Sequence, residues 1–438
     1  MTQPSSRKSR VLKFRSIPVL KVELAGWGGP NRVGRLAWRD RVVYFEYDPE
    51  FISTKLELSP FKLPLRPGLF EGPPGVFETL HGLFNDSLPD GWGRLLMDRK
   101  LIEIGIQPGQ LTPLDRLAWV GRRGMGALTY TPEHPSLAED ERIDIDLDRL
   151  ALQARNVFED SPKAVLDELL RIGGSPHGAR PKALVGRSPD GSRLVHGVED
   201  LPDGYQPWLV KFRSIGDPID AGAIEHAYAE MGRAAGIVMP ETTLFPATKG
   251  PGFFGIRRFD RAGNRRHHMH TLSGLLNIDH ALPNIGYAGM LKATRALTRR
   301  QAEVDQMFAR MVFNVLAWNR DDHTKNHSYI MAQDGEWSAS PAYDITFSSG
   351  PGGEHALDVD REAMSPGVDN ILSVAMDVGV DKRVALSCVE RVKSAVDRWP
   401  EFAKSCGVSN KMQKTIDQRI NGVRNKKVTT TLPKPSLS

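Results

Sequence analysis

Two regimes of apolar patterning divide the chain. Up to about Pro64, apolar residues come in short runs: VLKFRS, VLKVEL, VGRLAW and VVYFEY. Gly-Gly-Pro-Asn (28–31) and Arg39-Asp40 punctuate them. Alternation at a period of two between such turn residues predicts strands. A Pro/Gly stretch, LPLRPGLFEGPPG, then leads into FNDSLPDGWGRLLMDRKL, where Leu95, Leu96 and Leu101 take helical spacing after a Pro-Asp-Gly turn. The middle of the chain mixes periods. VLDELLRIGG reads as an amphipathic helix ending in a Gly pair. RPKALVGR, SRLVHGV and WLVKF (208–212) read as strands, AIEHAYAEMGRAAGI (223–237) as a helix, and PETTLFPA and FFGIRRFDR as strands. Beyond about residue 264 the period becomes helical, from HTLSGLLNI through QAEVDQMFARMVFNVLAW to MQKTIDQRI.

These patterns predict five segments. Residues 1–10 are expected to be disordered, 11–100 to form an N-terminal accessory subdomain, and 101–263 to form a β-rich lobe. Residues 264–425 are expected to form a helical lobe, and 426–438 a flexible tail. A chain of 438 residues exceeds the roughly 250–300 at which one core divides.

Composition narrows the class. A quarter of the residues are charged and 40% are hydrophobic, an ordinary soluble balance. The net charge of +5 suits an anionic ligand but is too small to argue for nucleic-acid binding. Cys388 and Cys406 offer neither zinc spacing nor a disulfide framework, as in a reducing compartment. No apolar run follows the polar, basic start, and none approaches the ~18 residues of a membrane span. A cytoplasmic protein without membrane partners is expected.

The candidate chemistry begins at Trp318–Met331, WNRDDHTKNHSYIM. A helix with Met307, Met311, Val312, Val315 and Leu316 on one face delivers this loop. HSYIMA then reads as a strand, and WSASPAYDI as a second strand carrying Asp344. Phosphoryl transfer needs a carboxylate to hold the acceptor hydroxyl, and an Asn oxygen and a second carboxylate to hold Mg²⁺ on the phosphates. Asp321 and Asn326 match D-x-x-x-x-N, and Asp344 stands where the second acid is needed. Asp322 is a rival base but breaks the spacing to Asn326. Lys325 is a candidate to stabilise the moving phosphoryl group. A polar loop also uses Asp and Asn as caps and turns. A metal-cluster reading needs His323 to converge with the acids, and no second His motif supports it. HHMH (267–270) reads as a surface run.

The same chemistry needs donors for the ATP phosphates. GGSPHGARPK (173–182) supplies Gly174, Ser175, His177, Gly178 and Lys182 ahead of a strand. Glycine lets a backbone approach phosphate closely, although the stretch fits no standard phosphate-loop pattern. Lys211, in the apolar strand WLVKF, needs a partner if buried, and Glu225 in the next helix is suited to be one. FGIRRFDR (254–261) is the candidate lobe connector, with main-chain groups around Arg257 and Phe259 facing adenine. His323 joins the nucleotide-binding candidates. The order of these pieces is that of a two-lobed phosphotransferase.

FNDSLPDGWGR (84–94), GGSPHGARPKA (173–183), WLVKF, RRFDR (257–261), NRDDHTKN (319–326) and YDI (343–345) together resemble the HipA family of serine/threonine kinase toxins of bacterial toxin–antitoxin systems. The resemblance runs from about residue 15 to 425. It implies an α+β, two-lobed, protein-kinase-like fold: a β-rich N-lobe with an accessory N-terminal subdomain, and an all-helical C-lobe. It implies ATP and Mg²⁺ as cofactors, Asp321 as base, Asn326 and Asp344 as metal ligands, Lys211 as the phosphate lysine and Ser175 as the autophosphorylated serine. It further implies an aminoacyl-tRNA synthetase as protein substrate. The implied partner is a helix-turn-helix antitoxin of HipB type, which links the chain indirectly to operator DNA. A small-molecule phosphotransferase and a catalytically silent partner of a DNA-bound repressor are the competing readings.

Overall fold

The computed structural model describes residues 14–27, 31–134, 144–157, 163–173, 177–197 and 200–424. The expected disordered start and flexible tail lie outside the described residues, as do Gly174 and Ser175. Among the described residues the strands form two five-stranded antiparallel sheets, a three-stranded sheet and a two-stranded hairpin.

The first sheet uses the alternating runs at the start of the chain. Strands β1 (Val19–Leu24), β2 (Arg32–Arg39), β3 (Val42–Tyr47) and β4 (Leu69–Glu71) lie in the order β4-β3-β2-β1. Leu20, Val22 and Leu24 are buried on one face of β1, as a period of two requires. The fifth strand, β5 (Leu128–Thr131), pairs Tyr130 with Val22. The first sheet therefore draws a strand from well beyond the boundary expected at residue 100. Helices α1 (Pro49–Ser53), α2 (Gly82–Asn85), α3 (Gly91–Glu103) and α4 (Pro113–Val120) fill the interval. The first run, VLKFRS, is not a strand where it is described. Ser16 Oγ and the Ile17 amide instead donate to Asp115 at 2.8 and 2.8 Å, so side-chain bonds replace a ladder.

Helices α5 (Leu147–Asn156) and α6 (Lys163–Gly173) lead to the second sheet. Its strands are β6 (Lys182–Arg187), β7 (Leu194–His196), β8 (Gln206–Lys211), β9 (Thr242–Phe245) and β10 (Phe253–Arg257), in the order β7-β6-β8-β10-β9. Helix α7 (Ala221–Ala234) crosses between β8 and β9. Lys182 and Lys211 are directly opposite each other on β6 and β8, so both side chains leave the same face.

The remaining lobe begins with a small hairpin, β11 (Arg261–Ala262) and β12 (Arg265–Arg266). Strand β13 (His268–Thr271) pairs with β14 (Ser328–Met331), which pairs with β15 (Trp337–Ala339). The lobe is otherwise helical: α8 (Leu272–Leu276), α9 (Tyr287–Thr298), α10 (Gln301–Leu316), α11 (Val368–Asp377), α12 (Lys382–Asp397), α13 (Trp399–Ser405) and α14 (Asn410–Arg424). Met307, Met311, Val312, Val315 and Leu316 of α10 are all buried. No helix among the described residues is long and apolar enough to cross a membrane.

Three further expectations are corrected. The C-terminal lobe is not all helical, because β13, β14 and β15 pair into a sheet within it. HHMH is not a surface run. His268 and His270 lie buried on β13, with His270 Nδ1 donating to Asp86 at 2.6 Å and its Nε2 3.0 Å from Ser59 Oγ. WSASPAYDI is a strand only as far as Ala339. Pro341 has no amide to give a ladder, and Asp344 sits in a loop at φ 52°.

Candidate active site

Strand β8 ends at Lys211, whose ammonium is nearly buried. It donates to Glu225 Oε1 at 2.5 Å and to Asp344 Oδ1. Glu225 comes from α7 and is 2% exposed, whereas Asp344 comes from the helical lobe. One cation thus joins a helix of its own lobe to a loop of the other. Burial works against the charge of Lys211, but Asp344 and Glu225 outweigh it and hold its pKa above the ordinary value. Burial would raise the Asp344 carboxyl; Lys211 and then Lys182 bring it down to about 2.

The two adjacent acids of the loop after α10 sit in different surroundings. Asp322 is 1% exposed and fully engaged: it accepts from Tyr287 OH at 2.6 Å, His355 Nδ1 at 2.8 Å and the Ala356 amide at 2.8 Å. It is an anchor of the loop, and its candidacy as a base is withdrawn because its oxygens are spent inside the fold. The Asp321 side chain is 52% exposed, with His323 Nε2 3.8 Å away. Asn326 Nδ2 donates to the Asp321 carbonyl at 2.7 Å, which folds the D-x-x-x-x-N segment back on itself. Asn326 Oδ1 and Asp344 Oδ2 accept no hydrogen bond among the described residues. One amide oxygen and one carboxylate oxygen suit Mg²⁺, which takes few protein ligands beside substrate phosphates. No group of three or more acid, His or Cys side chains arranged for a metal occurs among the described residues.

Lys325 does not extend freely toward a ligand. It is 7% exposed and donates to Asp90 Oδ2 at 2.8 Å. The other Asp90 oxygen accepts the Gly178 amide. His177 Nε2 donates to the Leu88 carbonyl at 3.0 Å, and the His177 carbonyl accepts from Lys182. Burial lowers Lys182 to about 8; Asp344 opposes the fall and Lys211 adds to it. Beside Lys211, which two carboxylates neutralise, Lys182 is bonded to a neutral carbonyl, so its charge remains available to an anion.

The connector differs from expectation at Arg257. Its amide donates to the Glu241 carbonyl at 2.9 Å within the sheet, and its guanidinium is exposed near Glu241. That N–H is unavailable to adenine. Phe259 packs on Tyr343 with ring centroids 5.5 Å apart. Tyr343 OH donates to the Lys325 carbonyl at 2.6 Å, which couples the connector, the loop carrying Asp344 and the loop carrying Asp321. His323 lies 5.1 Å, ring to ring, from His280. Sequence reasoning missed Asp90, Tyr343, Tyr287 and His355. LPDGW and YDI were conspicuous as motifs, but nothing in either told which side chain reached a distant loop.

The HipA N-terminal domain model matches residues 25–131, and the HipA-like C-terminal domain model matches residues 174–424. The chain belongs to the HipA family. The HipA N-terminal match closes at Thr131, the last residue of β5. A chain of the complex of HipA, HipB and operator DNA from the Shewanella oneidensis MR-1 toxin–antitoxin system aligns at a TM-score of 0.64 and 17% identity. That alignment covers 93% of this chain and 100% of that one. A Helicobacter pylori proinflammatory kinase, CtkA, aligns at a TM-score of 0.31 and 14% identity over 50% of this chain and 92% of that one. No curated protein matches the sequence significantly. The fold is the α+β, two-lobed, kinase-like HipA fold.

Proposed function

We propose that this HipA-family chain is an ATP-dependent serine/threonine protein kinase acting as the toxin of a toxin–antitoxin system. The observation that supports the reading best is the Lys211 ammonium held between Glu225 and Asp344, beside an exposed carboxylate on a D-x-x-x-x-N loop. Lys211 and Lys182 bind the ATP phosphates. Asp321 orients the acceptor hydroxyl and takes its proton. Asn326 and Asp344 would hold Mg²⁺, which offsets charge on the phosphates when bound. The protein supplies positioning and fixed charge, the main terms in phosphoryl transfer.

The protein substrate in this reading is an aminoacyl-tRNA synthetase, and the cytoplasm is the site of action. A HipB-type antitoxin is the partner, in line with the Shewanella oneidensis MR-1 complex. Ser175, in the Gly-rich stretch of the sequence, is the autophosphorylation site. A phosphate there adds roughly −1.5 to −2 charges and repels ATP, so Ser175→Asp is expected to weaken ATP binding. Full affinity in that variant would rule the switch out.

The test is incubation of purified protein with labelled ATP, Mg²⁺ and cell extract, beside Asp321→Ala. Label in a protein of synthetase mass, absent with Asp321→Ala, is expected. Label only in small solutes, or none, contradicts the reading.

A further inference from the structure

The LPDGW turn, Leu88–Trp92, belongs to the N-terminal unit, yet it touches both halves of the nucleotide site. Asp90 Oδ2 accepts from Lys325 Nζ at 2.8 Å, and Asp90 Oδ1 accepts the Gly178 amide. The Trp92 amide donates to the Gly178 carbonyl at 3.0 Å. His177 reaches back to the Leu88 carbonyl. Gly91 has φ +41°, and a Cβ there would lie 2.7 Å from the Gly178 carbonyl and from Ala179 Cα; only glycine permits that approach. The Trp92 side chain is 1% exposed and sits in the core of the second sheet with Ala183 and Trp208. The turn is thus fixed at its far end by packing.

We propose that Asp90 is a positioning residue of the phosphate site: it holds the catalytic-loop lysine, Lys325, and the Gly-rich turn at Gly178 in one rigid strut supplied by the N-terminal unit. A buried ammonium needs a partner, and a lysine's four-carbon stem otherwise samples many positions. Asp90 fixes that stem before nucleotide arrives, so little ordering remains for the transfer step. The Gly178 amide, held by the same carboxylate, fixes the spacing between turn and catalytic loop. Burial alone would raise the Asp90 carboxyl; His177, Lys325 and the hydrogen bonds overcome that and hold it well below the ordinary range, so it is anionic at neutral pH.

The effect on rate rests on the phosphotransferase reading, but the strut does not. Asp90→Asn is nearly isosteric and keeps an oxygen for Gly178 while losing the charge on Lys325. Its expected effect is a fall in kcat of about 10- to 100-fold with ATP affinity little changed. The double variant D90N/K325M is expected to be no slower than K325M, because Asp90 acts through Lys325. Unchanged kcat in D90N, or losses that multiply in the double variant, would overturn the proposal. Hydrogen exchange without nucleotide gives a second reading independent of activity. Asp90→Ala is expected to accelerate exchange in 177–182 and 323–328 together, with Asp90→Asn accelerating mainly 323–328. Exchange unaltered in both segments would overturn the strut. Absence of phosphate transfer by the unmodified protein would instead remove the proposed function.

Discussion

Lys211 and Lys182 lie side by side on one face of a sheet, yet they carry different charges into the cleft. Lys211 is paired with Glu225 and Asp344, so besides its proposed contact with the phosphates it fixes Asp344 relative to the second sheet. Lys211→Met is expected to cost about 10²- to 10³-fold in phosphoryl transfer, the usual loss for one preorganised donor; a rate near that of the unmodified protein would contradict its role. Lys182 is lowered to about 8. In its proposed role the cationic form binds triphosphate, so ATP affinity should fall as pH rises from about 7 to about 9, through that pKa. Lys182→Arg should flatten the fall, since guanidinium stays charged, and titration calorimetry across that range checks it. The neighbouring acids separate in kind. Asp322→Ala strips Tyr287, His355 and the Ala356 amide of their common acceptor and is expected to cost about 3–5 kcal/mol of stability, read by denaturant unfolding. Asp321→Ala, at an exposed carboxylate, should abolish transfer while leaving the unfolding midpoint in place.

At the scale of elements, what could be read from the sequence is what depends on local period. Strands β1, β2 and β3 of the first sheet and the buried face of α10 follow from spacing alone, because each apolar position there meets a core whatever lies opposite. D-x-x-x-x-N was legible for the same reason: the turn that Asn326 closes on the Asp321 carbonyl is local. Distant partners were not legible. His268 and His270 read as surface residues because nothing near them marks Asp86, Ser59 or the Leu58 carbonyl as their partners. Asp321 and Asp322 could be told apart by spacing but not by burial, since Tyr287 and His355 lie far along the chain. Asp344 reads as part of a strand because alternation continues past Ala339, but Pro341 ends the ladder first. Helix α3 carries Trp92 into a core shared by the second sheet with α5 and α6. Trp92→Ala should therefore cost about 3–5 kcal/mol and lower the unfolding midpoint of the whole chain in a single transition; separate melting of the N-terminal unit would contradict that packing.

For the whole molecule, the N-terminal unit, the second sheet and the helical lobe meet around three lysines, Lys182, Lys211 and Lys325. Each contributes one of its acids: Asp90, Glu225 and Asp344. In the proposed reading the N-terminal unit is consequently part of the machinery that faces the phosphates. The most direct test of the account is calorimetric titration of Mg²⁺-ATP into the full chain and into Lys211→Met, Lys182→Met and Asp344→Asn. One nucleotide per chain, with affinity reduced about tenfold or more in each variant, is the predicted result. Failure of the unmodified chain to bind Mg²⁺-ATP, or affinity unchanged in all three variants, would contradict it.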